Sequence, residues 1–307
     1  MGKIVVEHYT TVIKIFDKTI DLNMPHKLTR RVIAATSFDP AASMLPLNVD
    51  GVLVGWVRPD FAARLAAWPE LFSVRPRGVG MIGDFPSVEH RSAAIAEVVE
   101  SLASQEIIRG WRGEKITVAE SFYAPSIFHI ERAASLYFGL TVYASHLNAL
   151  VMRKGTPCMW LAQRAANKHQ DPGKLDNIAA GRIARGFTPW ETLVKESFEE
   201  AGIVERLTKN AKSTGAIKSI REVDEGLHHE IIFTHDIVLA DNFTPQNQDG
   251  EVAEFLCVPI SEIMTMLEDG ADFTVDAMLT IVDCLIRHAY ITADRDDYLH
   301  LISAMKP

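Results

Sequence analysis

The chain has 307 residues, 48% hydrophobic and 23% charged, with a net charge of −9. That is enough for two domains with cores of their own and unlike a disordered or fibrous protein. The acidic balance excludes nucleic acid as a partner through a basic surface, and the lack of an unbroken apolar run of about 18 residues argues against a membrane span. Cys158, Cys257 and Cys284 are odd in number and each lies in an apolar run, as expected of reduced core thiols. Glu7, Asp17 and Asp21 near the start suit neither a secretory signal nor an acid-poor transit peptide, so the cytoplasm is the expected compartment.

The first predicted elements form a small α+β domain over residues 1–132, in which 1–25 is an extension matching no recognisable pattern. LPLNVDGVLVGWV (45–57) reads as a hairpin turning at Asp50-Gly51. PDFAARLAAW reads as a helix with Pro59 in its first turn, and SVEHRSAAIAEVVESLASQ as a second, with Ile95, Val98, Val99 and Leu102 on one apolar stripe. Strands around a glycine turn are predicted in IIRGWRGEKITVAESFY. A second domain spans 133–307. In it GLTVYASHLNALVM and CMWLAQRA pair across Gly155, a long polar loop covers 168–189, further strands fall in 215–219, HHEIIFTHDIVLA and EVAEFLCVPISEIMTML, and VDAMLTIVDCLIRHAYI is a closing helix.

Between that loop and the later strands lies GFTPWETLVKESFEEAGI (186–203). Thr188 is placed to cap a helix, Pro189 fits its first position, Glu191 completes a capping box and Gly202 suits a left-handed end. Trp190, Leu193, Val194, Phe198 and Ala201 form the expected buried stripe. Glu196, Glu199 and Glu200 are then neighbours near the helix C-terminus, where the helix dipole disfavours negative charge. Three hard oxygen donors in that position suit magnesium or manganese; the same letters also occur on solvated acidic helix faces.

Gly181 together with RIARGFTPWETLVKESFEEAGI resembles the Nudix box: Gly, five residues, Glu, seven residues, Arg-Glu, an apolar residue, any residue, Glu-Glu, any residue, Gly, apolar. Gly181, Glu196, Glu199, Glu200, Gly202 and Ile203 match without insertion, whereas Phe187, Lys195 and Ser197 replace the first Glu, the Arg and the apolar residue. The resemblance implies an α/β/α sandwich with a mixed sheet, preceded here by the small α+β domain. It also implies metal ligation by Glu196, Glu199 and Glu200, activation of water by Glu196 or a later carboxylate, and a cofactor of Mg2+ or Mn2+. Lys195 keeps the positive charge of the box Arg without its bidentate fork. VDGVLVGWVRPDFAARLAAWPELF, LYFGLTVYASHLNALV, PGKLDNIAAG, FTPQNQDGEVAEF and CLIRHAYI together resemble Nudix proteins with an extra N-terminal domain, sometimes fused to thiamine pyrophosphokinase. Those relatives remove phosphate from oxidised or damaged thiamine diphosphate. The implied activity is therefore metal-dependent hydrolysis of an organic pyrophosphate of that kind; nucleotide sugars or dinucleotides are the alternative substrates, and a degenerate ligand-binding module without turnover is the alternative class.

Lys168, Lys174, Asp176 and Asn177 precede the box in a polar loop suited to a diphosphate. His146 and Asn148 share one face of a strand and could meet the substrate or be a half-buried polar pair. Glu251 and Glu254 fall on opposite faces of a strand, and Glu251 is the favoured candidate for the metal site, with Glu222, Asp224 and Glu225 as a rival source of the base. Trp56 and Arg58 could cover an aromatic substrate or be a core residue and a solvated one. The expected partner is a small-molecule pyrophosphate, with a homodimer left open.

Overall fold

The computed structural model describes residues 26–305 and the backbone of two short antiparallel strands, β1 (Val12–Ile15) and β2 (Lys18–Asp21); the rest of the extension expected over 1–25 lies outside the described residues. Helix α1 (Lys27–Thr36) follows, then β3 (Leu45–Val49) and β4 (Val52–Val57), which form the expected hairpin with Asp50 at φ 52° and Gly51 at φ 83°. Next come α2 (Pro59–Leu65), β5 (Phe72–Arg75), β6 (Gly78–Met81) and α3 (Val88–Ser104). Ser87 caps α3, and Ile95, Val98, Val99 and Leu102 are all buried, as the periodicity requires. β7 (Lys115–Val118) and β8 (Phe128–Glu131) pair antiparallel, so the strand after Gly110 has a partner beyond residue 127 instead of one across the glycine. The four strands order β4-β3-β6-β5 and share an apolar core with α3 and the β7–β8 pair.

The second half is built on one mixed sheet. β9 (Thr141–Arg153) is its centre; β10 (Thr156–Arg164), β11 (Leu175–Asn177) and β12 (Ala179–Arg182) follow in sequence. After the box helix α4 (Pro189–Ala201) and a short α5 (Glu205–Thr208) come β13 (Lys212–Val223), β14 (Gly226–Leu239) and β15 (Val252–Pro259). α6 (Ile260–Asp269), α7 (Val275–Arg287) and α8 (Tyr298–Ala304) end the described chain. The strand order is β11-β10-β9-β14-β13, with β12 on β9 and β15 on β10, and β9 runs parallel to β14 while its other neighbours are antiparallel. One face of the sheet packs against α4 and the other against α6, α7 and α8, which gives the α/β/α sandwich with a mixed sheet.

Two features depart from local expectation. The segment 168–189 is not one open loop, because β11 pairs with β10 and β12 with β9 inside it. Helix α1, although it falls within 1–132, places Leu28, Val32 and Ala35 in the core shared with α6, α7 and α8. From α1, in the second domain's core, the chain leaves to build the small α+β module and returns at β9.

Candidate active site

A polar cleft of about 270 Å3 opens where β12, α4, the N-terminus of α7 and the loops before β11 and β15 meet the small module. α4 is set by the local signals read from sequence: Thr188 and Glu191 form a complete capping box, and Gly202 ends the helix at φ 65°. Its buried face differs from the expected stripe. Leu193 and Ala201 are buried, but Trp190 is 38% and Phe198 48% exposed, while Ser197 and Glu200 are buried instead. The helix turns its carboxylate edge toward β12, and that displaces the aromatic residues outward.

Glu196 lies against Gly181, where a β-carbon would come within 2.4 Å of its Cδ, so only glycine leaves space for this carboxylate. The Lys195 ammonium reaches both Glu196 Oε1 at 3.0 Å and Glu199 Oε2 at 2.6 Å. Glu200 points inward and accepts the Ala180 N–H at 2.8 Å. Burial raises the Glu196 pKa against the pull of Lys195. Glu200 is raised well above the carboxylate range by burial and then by Glu196, with the Ala180 N–H opposing. Burial disfavours the Lys195 charge, but its bonds to Glu199 and Glu196 outweigh that and raise its pKa. Clustered, partly desolvated carboxylates of this kind are stabilised by a cation. The Lys195 ammonium offsets the charge of two of them, and as they stand the three carboxylates do not bring one oxygen each within 4.8 Å of one another.

Glu251 also lines the cleft, paired with Lys168; burial pushes its pKa up, yet the lysine overrides this and holds it low. Asp176 is on the cleft wall with Arg164 Nη1 at 2.8 Å. His146 reaches the cleft, and its Nδ1 contacts Asn177 Oδ1 at 2.8 Å. Three expected substrate-binding residues are elsewhere. Asn177 and Asn148 are both 1% exposed; Asn177 Nδ2 donates to Asn148 Oδ1 at 2.8 Å, and Asn148 donates to Asp236, so the two amides satisfy each other inside the core. Lys174 turns to Asp171 at 2.7 Å and lies outside the cleft lining. Glu222, Asp224 and Glu225 also lie outside it, and Arg58 donates to the Asp224 carbonyl at 3.0 Å. Trp56 packs beside Met44, Ile220 and Leu227 as a core aromatic.

Of the cations of the cleft, sequence reasoning named Lys168 and Lys195 and missed the arginines. Arg112 and Arg132 arrive from the small module, Arg164 and Arg182 from β10 and β12. Arg182 pairs with Glu230 at 3.1 Å, and Arg132 with Glu114 at 2.7 Å. Asp276, at the start of α7, is held well below the aspartate range: burial opposes its charge, but His228 and Arg221 overcome it. Arg182 directly follows the box glycine and was open to notice; Arg112 and Arg132 carry no local signal.

The NUDIX domain matches residues 143–278, and a domain of unknown function (DUF4743) matches residues 27–142. Nudix hydrolase 24, chloroplastic, from Arabidopsis thaliana is 35% identical over 85% of this chain and 72% of that protein. The chain belongs to the Nudix hydrolase family. Nudix hydrolase 20, chloroplastic, from the same plant is 32% identical over 85% of this chain and 72% of its own length. Among solved structures, the NUDIX domain of Shewanella oneidensis NrtR complexed with ADP ribose covers 49% of this chain and 90% of its own at 12% identity and a TM-score of 0.40. This Nudix protein is accordingly a pyrophosphohydrolase, and Nudix hydrolases generally use divalent metal ions. The cytoplasmic expectation is corrected by the two plant relatives, both named as chloroplastic.

Proposed function

We propose that the cleft hydrolyses the diphosphate of an organic pyrophosphate, with Mg2+ or Mn2+ held by Glu196, Glu199 and Glu200. The observation that carries this reading is that one helix edge presents Glu196 and Glu199 to the cleft, with Glu200 buried beside them on the Ala180 N–H. The donor set, all hard carboxylate oxygens, fits either metal. When bound, the metal would lower the pKa of water and offset charge developing on the phosphoryl oxygens.

Glu251, kept ionised by Lys168, is the residue placed to take the proton as a water oxygen attacks phosphorus and the anhydride P–O bond breaks. Glu196 is the alternative acceptor, and its burial favours a proton. Lys195 steadies Glu196 and Glu199. Arg182 and Arg164 present guanidinium groups to the same space.

The resemblance of most of the chain to the two-domain Nudix proteins supports oxidised or damaged thiamine diphosphate as the substrate. One observation favours a second reading: among the described residues, Ala180 is the single apolar side chain lining the cleft, and no Phe, Tyr or Trp lines it. A cleft without an aromatic platform suits the hydroxyl-rich end of a nucleotide sugar. Phosphate release by the full chain from oxidised thiamine diphosphate, thiamine diphosphate, a nucleotide sugar and a dinucleotide, each with Mg2+, with Mn2+ and with chelator, separates the readings. Fastest turnover is expected for the oxidised thiamine compound, abolished by chelator. A nucleotide sugar turned over faster would overturn the thiamine assignment, and a chelator-insensitive rate would overturn the metal site.

A further inference from the structure

We propose that the small N-terminal module supplies the cleft with an anion-binding subsite, in which Arg112, supported by Arg132 and Arg182, grips one phosphate group of the substrate. The proposal rests on the cleft being the pyrophosphate site and assigns the module a part in binding.

Arg112 sits in the short loop Gly110-Trp111-Arg112-Gly113 between α3 and β7. Both glycines adopt left-handed backbone, φ 75° and 71°, which L side chains rarely take. A β-carbon on Gly110 would lie 3.0 Å from the His169 ring, so the loop is pressed against the Nudix loop that carries Lys168 and Gln170. The Arg112 N–H donates to the buried Glu131 carboxylate at 2.9 Å. The backbone is therefore fixed while the side chain remains exposed.

Two further guanidiniums line the same stretch of cleft. Arg132 and Arg182 have Glu114 and Glu230 as partners, and the Glu131 carboxylate is engaged by the Arg112 and Ala133 N–H groups. Among the described residues, Arg112 has no carboxylate within ion-pair distance. Burial lowers the pKa of Arg132, and Arg182 and Arg112 lower it further by like-charge repulsion, against Glu114 and Glu131. Glu251 feels the charge of Arg112 from beyond ion-pair distance. Of the three guanidiniums, Arg112 alone among the described residues has no ion-pair partner, and an incoming anion supplies one. A phosphate matches the planar fork of a guanidinium in shape as well as charge.

Docking of the module does not call on Arg112. Gly226 of β14 makes a close backbone approach at the junction: a β-carbon there would meet the Leu136 carbonyl of the module at 2.3 Å. The Leu227 N–H donates to the same Leu136 carbonyl at 3.0 Å. With docking carried by backbone packing, the exposed guanidinium over the cleft is available to a ligand.

The test is equilibrium binding of inorganic pyrophosphate to the full chain in chelator, where the box carboxylates hold no metal. Arg112→Ala is expected to weaken binding by about ten- to a hundredfold, the scale of a lost charge-assisted hydrogen bond. Arg112→Lys should recover part of the loss. Arg58→Ala, which removes a charge of the same module outside the cleft, should bind as the parent does. Unaltered binding by Arg112→Ala, or no binding by the parent protein, would overturn the subsite. Arg112-dependent pyrophosphate binding without turnover of any thiamine compound would leave the subsite standing and remove only the substrate assignment.

Discussion

The α4 wall of the cleft and the wall made by the small module differ in charge and in how the sequence specifies them. Glu196, Glu199 and Glu200 lie within five residues of one another on one helix, positioned by a cap and a terminal glycine in the same short stretch. Arg112 and Arg132 belong to a separate module, and Arg164 and Arg182 to two strands. They converge because β9 pairs with both β10 and β12, and because the module docks through backbone contacts between Leu136 and Gly226–Leu227. A metal-binding wall needs several donors at fixed mutual spacing, which one helix provides cheaply. An anion-binding wall needs only cations within reach, and tertiary structure can collect these from anywhere in the chain.

The largest effect that would break this contrast belongs to the helical wall. Glu196→Gln is expected to lower kcat/KM by at least about a hundredfold and to weaken metal binding, with the far-ultraviolet circular dichroism spectrum retained. If activity persisted, the helix would be an acidic surface and not a metal wall. Gly181→Ala comes next: the new methyl meets Glu196 at 2.4 Å. A stability loss of about 1–3 kcal/mol in urea unfolding is expected, together with reduced turnover, as for overpacking of a tight contact. Full activity in this variant would show that the carboxylate need not lie where the glycine lets it lie. Thr188→Ala sharpens the comparison with the smallest change. Losing the cap that accepts the Glu191 N–H at 3.1 Å should cost about 1 kcal/mol while leaving the KM of the folded enzyme unaltered. A changed KM would mean that substrate binding depends on the helix start as well as its carboxylates.

What could be read from the amino-acid sequence follows the same division. Thr188, Pro189, Glu191 and Gly202 mark the ends of α4 through contacts spanning three or four residues, and the structure keeps those ends. The buried face of that helix was misread, because periodicity assigns the inside to Trp190 and Phe198. The functional edge with Glu200 took the interior position instead, held by the Ala180 N–H. β11 and β12 are only three and four residues long, too short for an alternating pattern, so their segment reads as loop until its partners on β10 and β9 are known. Asn148 and Asn177 have the composition of ligand-binding residues, but a polar side chain looks the same in sequence whether it meets a substrate or another buried amide.

The path of the chain through α1 bears on any attempt to take the protein apart. The small module lies between α1, which packs in the core of α6, α7 and α8, and β9, the centre of the same sheet, so both of its connections lead into one body. Deleting everything before β9 would strip Leu28, Val32 and Ala35 from the core they share with α6, α7 and α8 and expose that apolar surface to water. A clean dissection would instead splice the end of α1 to the start of β9 and remove what lies between. Tied to that body at both ends and again where the Leu227 N–H meets the Leu136 carbonyl, the module carries Arg112 and Arg132 to the cleft.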